Sequence, residues 1–368
     1  MTAKERFLKT IAFEPTDRPV RTETLGFWNE TLSRWHAEGL PEEINDELSA
    51  YIHFGFDFQI PLVIGGHLHP GFDPPFDEEV LGEKGEMLIK RDISGSVVMV
   101  PKDGSSTIPK FLEAPVKDKG DWKTLKGRLD PETPDRLALL DLFLAIDVSD
   151  DWPLCVYITG LFGTLRHLLG LERLFISYKT NPELILDISR HWVYLWKGVL
   201  KKISEKRRPE LVSLWEDMCY RNGPMISPRT FEKFMLPFYS ELIGFCKNEI
   251  GIPAAGVDSD GDVTLLLTLF VKAGINMLYP FEVQAGMDIL KVRGEYPNEF
   301  VIWGGIDKRL LEEPKEKIET EVRRILPEML EKRGYIPAID HAVHPSVPHE
   351  NWLFFLELVR GIGEESSS

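Results

Sequence analysis

Apolar positions along the chain switch repeatedly between a two-residue and a 3.6-residue period, and the switches are clearest between Gly251 and Gly305. There an apolar run ends in the acidic turn Asp258-Ser259-Asp260-Gly261 and a helix-period segment follows. A short run then ends at Glu282, a second helix follows, and a last run closes on Trp303-Gly304-Gly305. The rest of the chain repeats this rhythm. Lys4 to Phe13 puts Phe7, Leu8, Ile11 and Ala12 on one helical face, and Glu14-Pro15 stops it before a first strand at Val20 to Leu25. Helices are expected at Ile44 to Phe54, near Arg136 to Ile146, at Asn181 to Arg207, from Ser227-Pro228, and at Glu321 to Lys332. Strands are expected at Gly55 to Ile64, Pro153 to Thr159, Leu211 to Trp215 and Gly334 to Ile339. Ser94-Gly95 between two β-rich runs marks a hairpin between Met87 and Pro101.

Eight strand candidates separated mostly by helices predict a (β/α)8 TIM barrel with an inserted β-hairpin after strand two. One domain is expected over residues 1–362, with 363–368 as a disordered tail. A doubly wound sheet is the alternative, but no GxGxxG follows the first strand.

Composition narrows the partners. Of the 368 residues, 59 are Asp or Glu and 43 are Lys or Arg, a formal net charge of −16 that repels phosphate backbones and anionic membranes. Cys155, Cys219 and Cys246 form neither a CxxC pair nor an even disulfide set, which suits a reducing compartment. No signal-peptide core and no run of about 18 apolar residues is present. A cytoplasmic protein acting on a small molecule is expected, with no nucleic acid and no membrane.

Barrel chemistry collects at the C-terminal ends of the strands, so residues there are the site candidates. Glu216 and Asp217 follow the apolar run 211–215, and one of the two is expected to face the site. Asp258 ends its strand; Asp260 is either a site residue or, like Asp262, an N-cap before Val263. Arg166, just inside the helix opened by Gly160 and Gly163, is either an anion contact or a surface residue. Phe27 and Trp28 form either an aromatic pocket wall or a cap on the core; Tyr157, Phe162 and Trp303 are further wall candidates. His67 and His69 are loop histidines with no third His or Cys at ligand spacing nearby.

The segments Asp258-Ser-Asp-Gly, Tyr279-Pro-Phe-Glu282, Trp303-Gly-Gly-Ile-Asp307 and Gly334-Tyr-Ile-Pro-Ala-Ile-Asp340-His341, in that order and spacing, resemble the uroporphyrinogen decarboxylase superfamily. The resemblance implies a TIM barrel with one of two chemistries. One is cofactor-free decarboxylation of porphyrinogen acetates; the other is methyl transfer among small methylated compounds, corrinoid proteins and thiols. It also implies that Asp57 matches the family's Asp after strand two, and His341 its His after strand eight. Where a decarboxylase of the family has an arginine-rich segment after the first strand, this chain has one Arg and two Glu between Arg21 and Glu30. Burying many carboxylates there without cations is costly, so an authentic uroporphyrinogen decarboxylase is not expected. The His-x-Cys zinc pair of the thiol methyltransferases is likewise replaced by Asp258-Ser259-Asp260. Any zinc would need Asp258, Asp260, Glu282 and His341.

The expected function is methyl transfer from a small O- or N-methylated compound to a corrinoid carried by a partner protein. Asp217, Asp258, Glu282 and His341 are the catalytic candidates, with Glu216 and Arg166 on the substrate. The alternatives are a carboxy-lyase for a small acid, using Asp57, His341, Arg21 and Arg166, and a non-catalytic binding barrel.

Overall fold

The computed structural model describes residues 1–57, 59–64, 70–104, 109–134, 136–145 and 149–367. His67 and His69 lie outside the described residues. Seven parallel strands form one sheet in the order β1 (Ile60–Val63), β6 (Leu154–Thr159), β7 (Leu211–Trp215), β10 (Ala254–Asp258), β11 (Met277–Tyr279), β12 (Val301–Trp303) and β13 (Tyr335–Ile336). A strand buried on both faces carries apolar residues throughout, as Leu-Cys-Val-Tyr-Ile-Thr does in β6. The connections between β6 and β13 contain helices, of which Pro182–Lys206 is the longest and buries Trp192 and Trp196. This is the expected α/β barrel.

The segment 20–25, expected as the first strand, carries no strand hydrogen-bond ladder, yet it occupies the remaining gap between the sheet's two edges. On one side the Asp57 amide donates to the Arg21 carbonyl at 2.6 Å. On the other, the Thr24 hydroxyl donates to the Ile339 carbonyl at 2.8 Å, and Phe27 bridges Val343 in parallel. Isolated backbone bonds and polar side chains take the place of a regular ladder at this seam, and so a pattern search sees a strand where the structure has only an extended stave.

Between β1 and β6 the chain departs into a four-stranded antiparallel sheet, β2 (Glu79–Lys84), β3 (Met87–Arg91), β4 (Val97–Pro101) and β5 (Lys110–Glu113). The expected hairpin is its β3–β4 centre, turning at Ser94-Gly95, and both flanking strands are additional. A short hairpin, β8 (Cys219–Tyr220) with β9 (Gly223–Pro224), follows β7. Two apolar masses result: an inner one of Phe7, Val20, Leu211, Met277, Tyr279, Trp303 and their neighbours inside the barrel, and a larger one between sheet and helices. Phe7 comes from the first helix, Ala3–Ile11, which plugs the N-terminal end of the barrel. The last helix runs His349–Ser367, through residues 363–367 where the sequence suggested a tail. Among the described residues no helix is long and apolar enough to cross a membrane.

Candidate functional site

Register decides what the barrel mouth contains. Thr159, Trp215, Asp258 and Tyr279 are consecutive partners across four strands and form the last row of the sheet, so whatever follows them in sequence emerges at the mouth. Asp258 itself is in that row. Burial raises its pKa well above the usual carboxylate range; the charges of Asp260 and Asp217 push the same way, and only His341 opposes them. Asp217 is also raised, by burial first, although Arg166 pulls it down; Asp260 and Glu282 add to the rise. Four carboxylates from three loops therefore share one field.

His341 joins them from the loop after β13. Its Nε2 lies 3.5 Å from Asp260 Oδ2, and its Nδ1 lies 3.9 Å from Asp340 Oδ1. Burial disfavours its charge, but the hydrogen bond and charge of Asp260, with Asp340 behind, outweigh burial and the repulsion of Lys308; the imidazole pKa is raised. The His341 imidazole and the Asp258 carboxyl thus both hold their protons to higher pH than the free groups would. One oxygen of Glu282 accepts the Gly261 amide at 2.9 Å, which fixes the carboxylate against the Asp258–Gly261 turn.

Of the adjacent acids after β7, Asp217 is the one at the mouth. It sits at φ 45°, a left-handed conformation uncommon for a residue with a Cβ, and its carboxylate meets Arg166 Nη1 at 2.9 Å. Arg166 also donates to the Asp217 carbonyl at 3.0 Å and lies over the Trp215 ring, so its charge is held by an internal anion. Glu216 turns the other way and is fully buried. Its two oxygens accept the amides of Leu161 and Gly163 at 2.8 and 2.9 Å, capping the helix Leu161–Leu169. A carboxylate suits a helix N-terminus, yet burial pushes its pKa up to about 8. A Cβ at position 160 would stand 2.1 Å from the Glu216 carboxyl, and one at 163 would stand 2.7 Å from the Trp215 carbonyl; these two glycines let the helix seat. Glu216, expected on the substrate, is a buried helix cap instead.

Several other expectations are corrected by position. Asp57 precedes β1 and lies at the opposite end of the barrel from the mouth. There Arg6 Nη1 and Arg18 Nη1 each meet its carboxylate at 2.8 Å and the Arg21 amide at 2.9 Å. Arg21 is with it, bonded to Glu364 at 3.2 Å. Trp303 is buried in the barrel interior, 5.0 Å from Tyr279, and lines a hollow with Phe7, Val20 and Asp57 on the plugged side. Phe162 is fully buried in the outer core. Phe27 belongs to an aromatic group with Trp35, Phe54, Phe56 and Trp352, so it caps the core. Its neighbour Trp28 is 40% exposed, with its ring against His344 in the loop after β13. Tyr157 points into the barrel and donates to Gln59 at 3.1 Å.

Two acids escaped the sequence reading. Asp340 is fully buried and accepts the amides of Val283 and Lys308 at 2.8 and 2.9 Å. Glu23, also buried, accepts the Ile339 amide at 3.2 Å, and burial raises its pKa well above the carboxylate range. Their signal was an Asp beside a strand-end His and a Glu in the seam, neither of which has a spacing rule.

The zinc reading does not fit this arrangement. Among the described residues no three His, Cys, Asp or Glu side chains group so as to hold a metal ion. Of the four proposed ligands, His341 lies against Asp260 and Glu282 accepts a backbone amide instead.

A family model described as uroporphyrinogen decarboxylase (URO-D) matches residues 94–362. Among curated relatives, uroporphyrinogen decarboxylase from Geobacter sulfurreducens is 30% identical over 143 residues, 39% of this chain and 40% of that protein. The decarboxylase from Syntrophotalea carbinolica is 28% identical over 199 residues, 53% of this chain and 52% of its own. The chain thus spans between two-fifths and about half the length of these relatives. Among solved structures, a methyltransferase from Methanosarcina mazei superposes with a TM-score of 0.65 over 98% of both chains at 15% identity, a likeness of fold.

Proposed function

The chain belongs to the uroporphyrinogen decarboxylase family, and from that premise we propose that it is a methyltransferase moving a methyl group from a small O- or N-methylated compound to a corrinoid carried by a partner protein. The observation that supports this reading is the charge at the mouth. Asp217, Asp258, Asp260 and Glu282 meet there, and among the described residues the cations whose charge reaches them are Arg166, tied to Asp217, and Lys308, behind His341. Such a field disfavours a substrate with many carboxylates and suits a neutral or cationic methyl donor.

The chemistry required of the protein is proton delivery. A corrinoid held by a partner would supply the nucleophile; loss of the methyl group from a neutral donor would leave the bonding pair on its oxygen or nitrogen, a poor leaving group unless protonated. His341, whose hold on its proton Asp260 strengthens, gives that proton and is reprotonated from solvent. Asp258, held neutral by burial and its neighbours, contributes a hydrogen bond without adding negative charge beside the departing pair. Activity should therefore fall as pH rises through the raised His341 pKa. A carboxy-lyase for a small acid has less support, because Asp57 and Arg21 lie at the far end of the barrel, engaged with Arg6, Arg18 and Glu364.

The test uses the purified chain with chemically reduced cobalamin as surrogate acceptor and a panel of neutral, cationic and carboxylated methyl donors, read by mass spectrometry of donor and product. Demethylation of neutral donors, slowed on the order of 100-fold or more in His341→Ala, is the expected result, while cationic donors, which leave as neutral amines, should be slowed far less by that variant. Release of carbon dioxide from uroporphyrinogen without any demethylation would overturn it.

A further inference from the structure

We infer that Asp340 is the positioning residue of this site, a clamp that sets the loops carrying Glu282 and His341; its kinetic part rests on the methyl-transfer reading. Its carboxylate is fully buried, and no Lys or Arg forms an ion pair with it among the described residues. Such a group is tolerated only where hydrogen bonds replace water. Here Oδ2 accepts the Val283 amide at 2.8 Å and Oδ1 accepts the Lys308 amide at 2.9 Å, so the loops after β11 and β12 are both drawn to the loop after β13. The Asp340 amide completes the knot by donating to the Ile306 carbonyl at 2.8 Å.

The reach extends further. Val283 follows Glu282, whose carboxylate holds the Gly261 amide of the Asp258–Gly261 turn. In that turn the Ser259 amide donates to the Tyr279 carbonyl at 3.1 Å, and its hydroxyl accepts the Met218 amide at 3.1 Å. Consecutive strand-end loops from β7 to β13 are thus linked one to the next, with Asp340 at the terminus beside His341.

A carboxylate is specifically suited to this place. It accepts on both oxygens, whereas an amide of the same shape would set its NH2 against one of the two N–H donors. A residue that only filled space would not need that symmetry.

The test compares Asp340→Ala and Asp340→Asn with the unmodified chain by hydrogen exchange and by steady-state kinetics. In Asp340→Ala, exchange should rise at least about tenfold at 282–285 and 306–310, while the antiparallel sheet 79–113 is unaffected. The kcat for demethylation should fall on the order of 100-fold with KM moved far less, since misplacement by about an ångström costs that much. Asp340→Asn, keeping one acceptor, should recover part of both, and it stands in if the alanine variant does not fold. Unchanged exchange in both loops would refute the clamp. Raised exchange with kcat intact, or loss in KM alone, would leave only a structural role and equally refute positioning. Exchange needs no substrate, so a wild-type chain inert toward every donor would count against methyl transfer while exchange alone still judged the clamp.

Discussion

The two ends of this barrel hold the same residue type in opposite circumstances. At the plugged end Asp57 is gripped by the buried Arg6 and the half-buried Arg18, and Arg6 is in turn gripped by Asp17 at the surface, a closed exchange of charge. At the mouth, Asp258 faces further carboxylates and the His341 imidazole, and its pKa is held well above the ordinary range. The first arrangement lowers the energy of the fold. The second raises it, and a fold that carries such a cost does so where protons or charges must be handled. An aspartate's chemistry here follows from which end of its strand it occupies.

The contrast can be broken from either side. Asp57→Ala should cost about 3 kcal/mol of unfolding free energy, the low end for breaking a buried pair because Arg6 keeps Asp17, and should leave kcat of the folded fraction unchanged; denaturant titration with kinetics decides. Asp258→Ala should do the reverse: turnover falls on the order of 100-fold, while the melting temperature holds or rises. A loss of stability there would erase the distinction between the ends. Glu216 sharpens it, being buried at the mouth yet structural. Its folded pKa of about 8 exceeds its ordinary value of 4.5, so between those values the native state keeps a proton that the unfolded chain releases. Stability should decline with rising pH across that window, by at most about 1.4 kcal/mol per pH unit, and Glu216→Gln should flatten the decline in a pH series of thermal melts. Smallest of all, Trp28→Ala should change stability by no more than about 0.5 kcal/mol; a shifted KM for the donor would keep this exposed indole as part of the pocket rim.

The alternation of periods made the barrel legible, since the apolar runs from 55–64 onward each contain a parallel strand and the hairpin at Ser94-Gly95 became the middle of an inserted sheet. Asp217, Asp258, Glu282 and His341 were legible for a positional reason: each directly follows an apolar run, and register brings such positions together. Asp57 misled because the run 55–64 reads as strand throughout, while only Ile60–Val63 pairs, leaving the aspartate at the entrance. Glu216 and Asp217 could not be told apart from spacing; the left-handed turn at Asp217 sends them opposite ways. Aromatic residues were hardest, because Phe27, Phe162 and Trp303 look alike in sequence whether they wall a pocket or fill a core. Burial alone distinguishes them.

The seam has a temporal consequence. Glu23 and Ile339, hydrogen-bonded in the finished barrel, are 316 residues apart in sequence. Closing so long a loop is entropically expensive and rewards nothing until both edges are built, so contacts of this range form late. The inserted antiparallel sheet, made of neighbours in sequence, can form early. His341 lies just two residues beyond the late contact. As a ribosome extends the chain, the mouth stays unassembled until β13 docks, and His341 joins the carboxylates last.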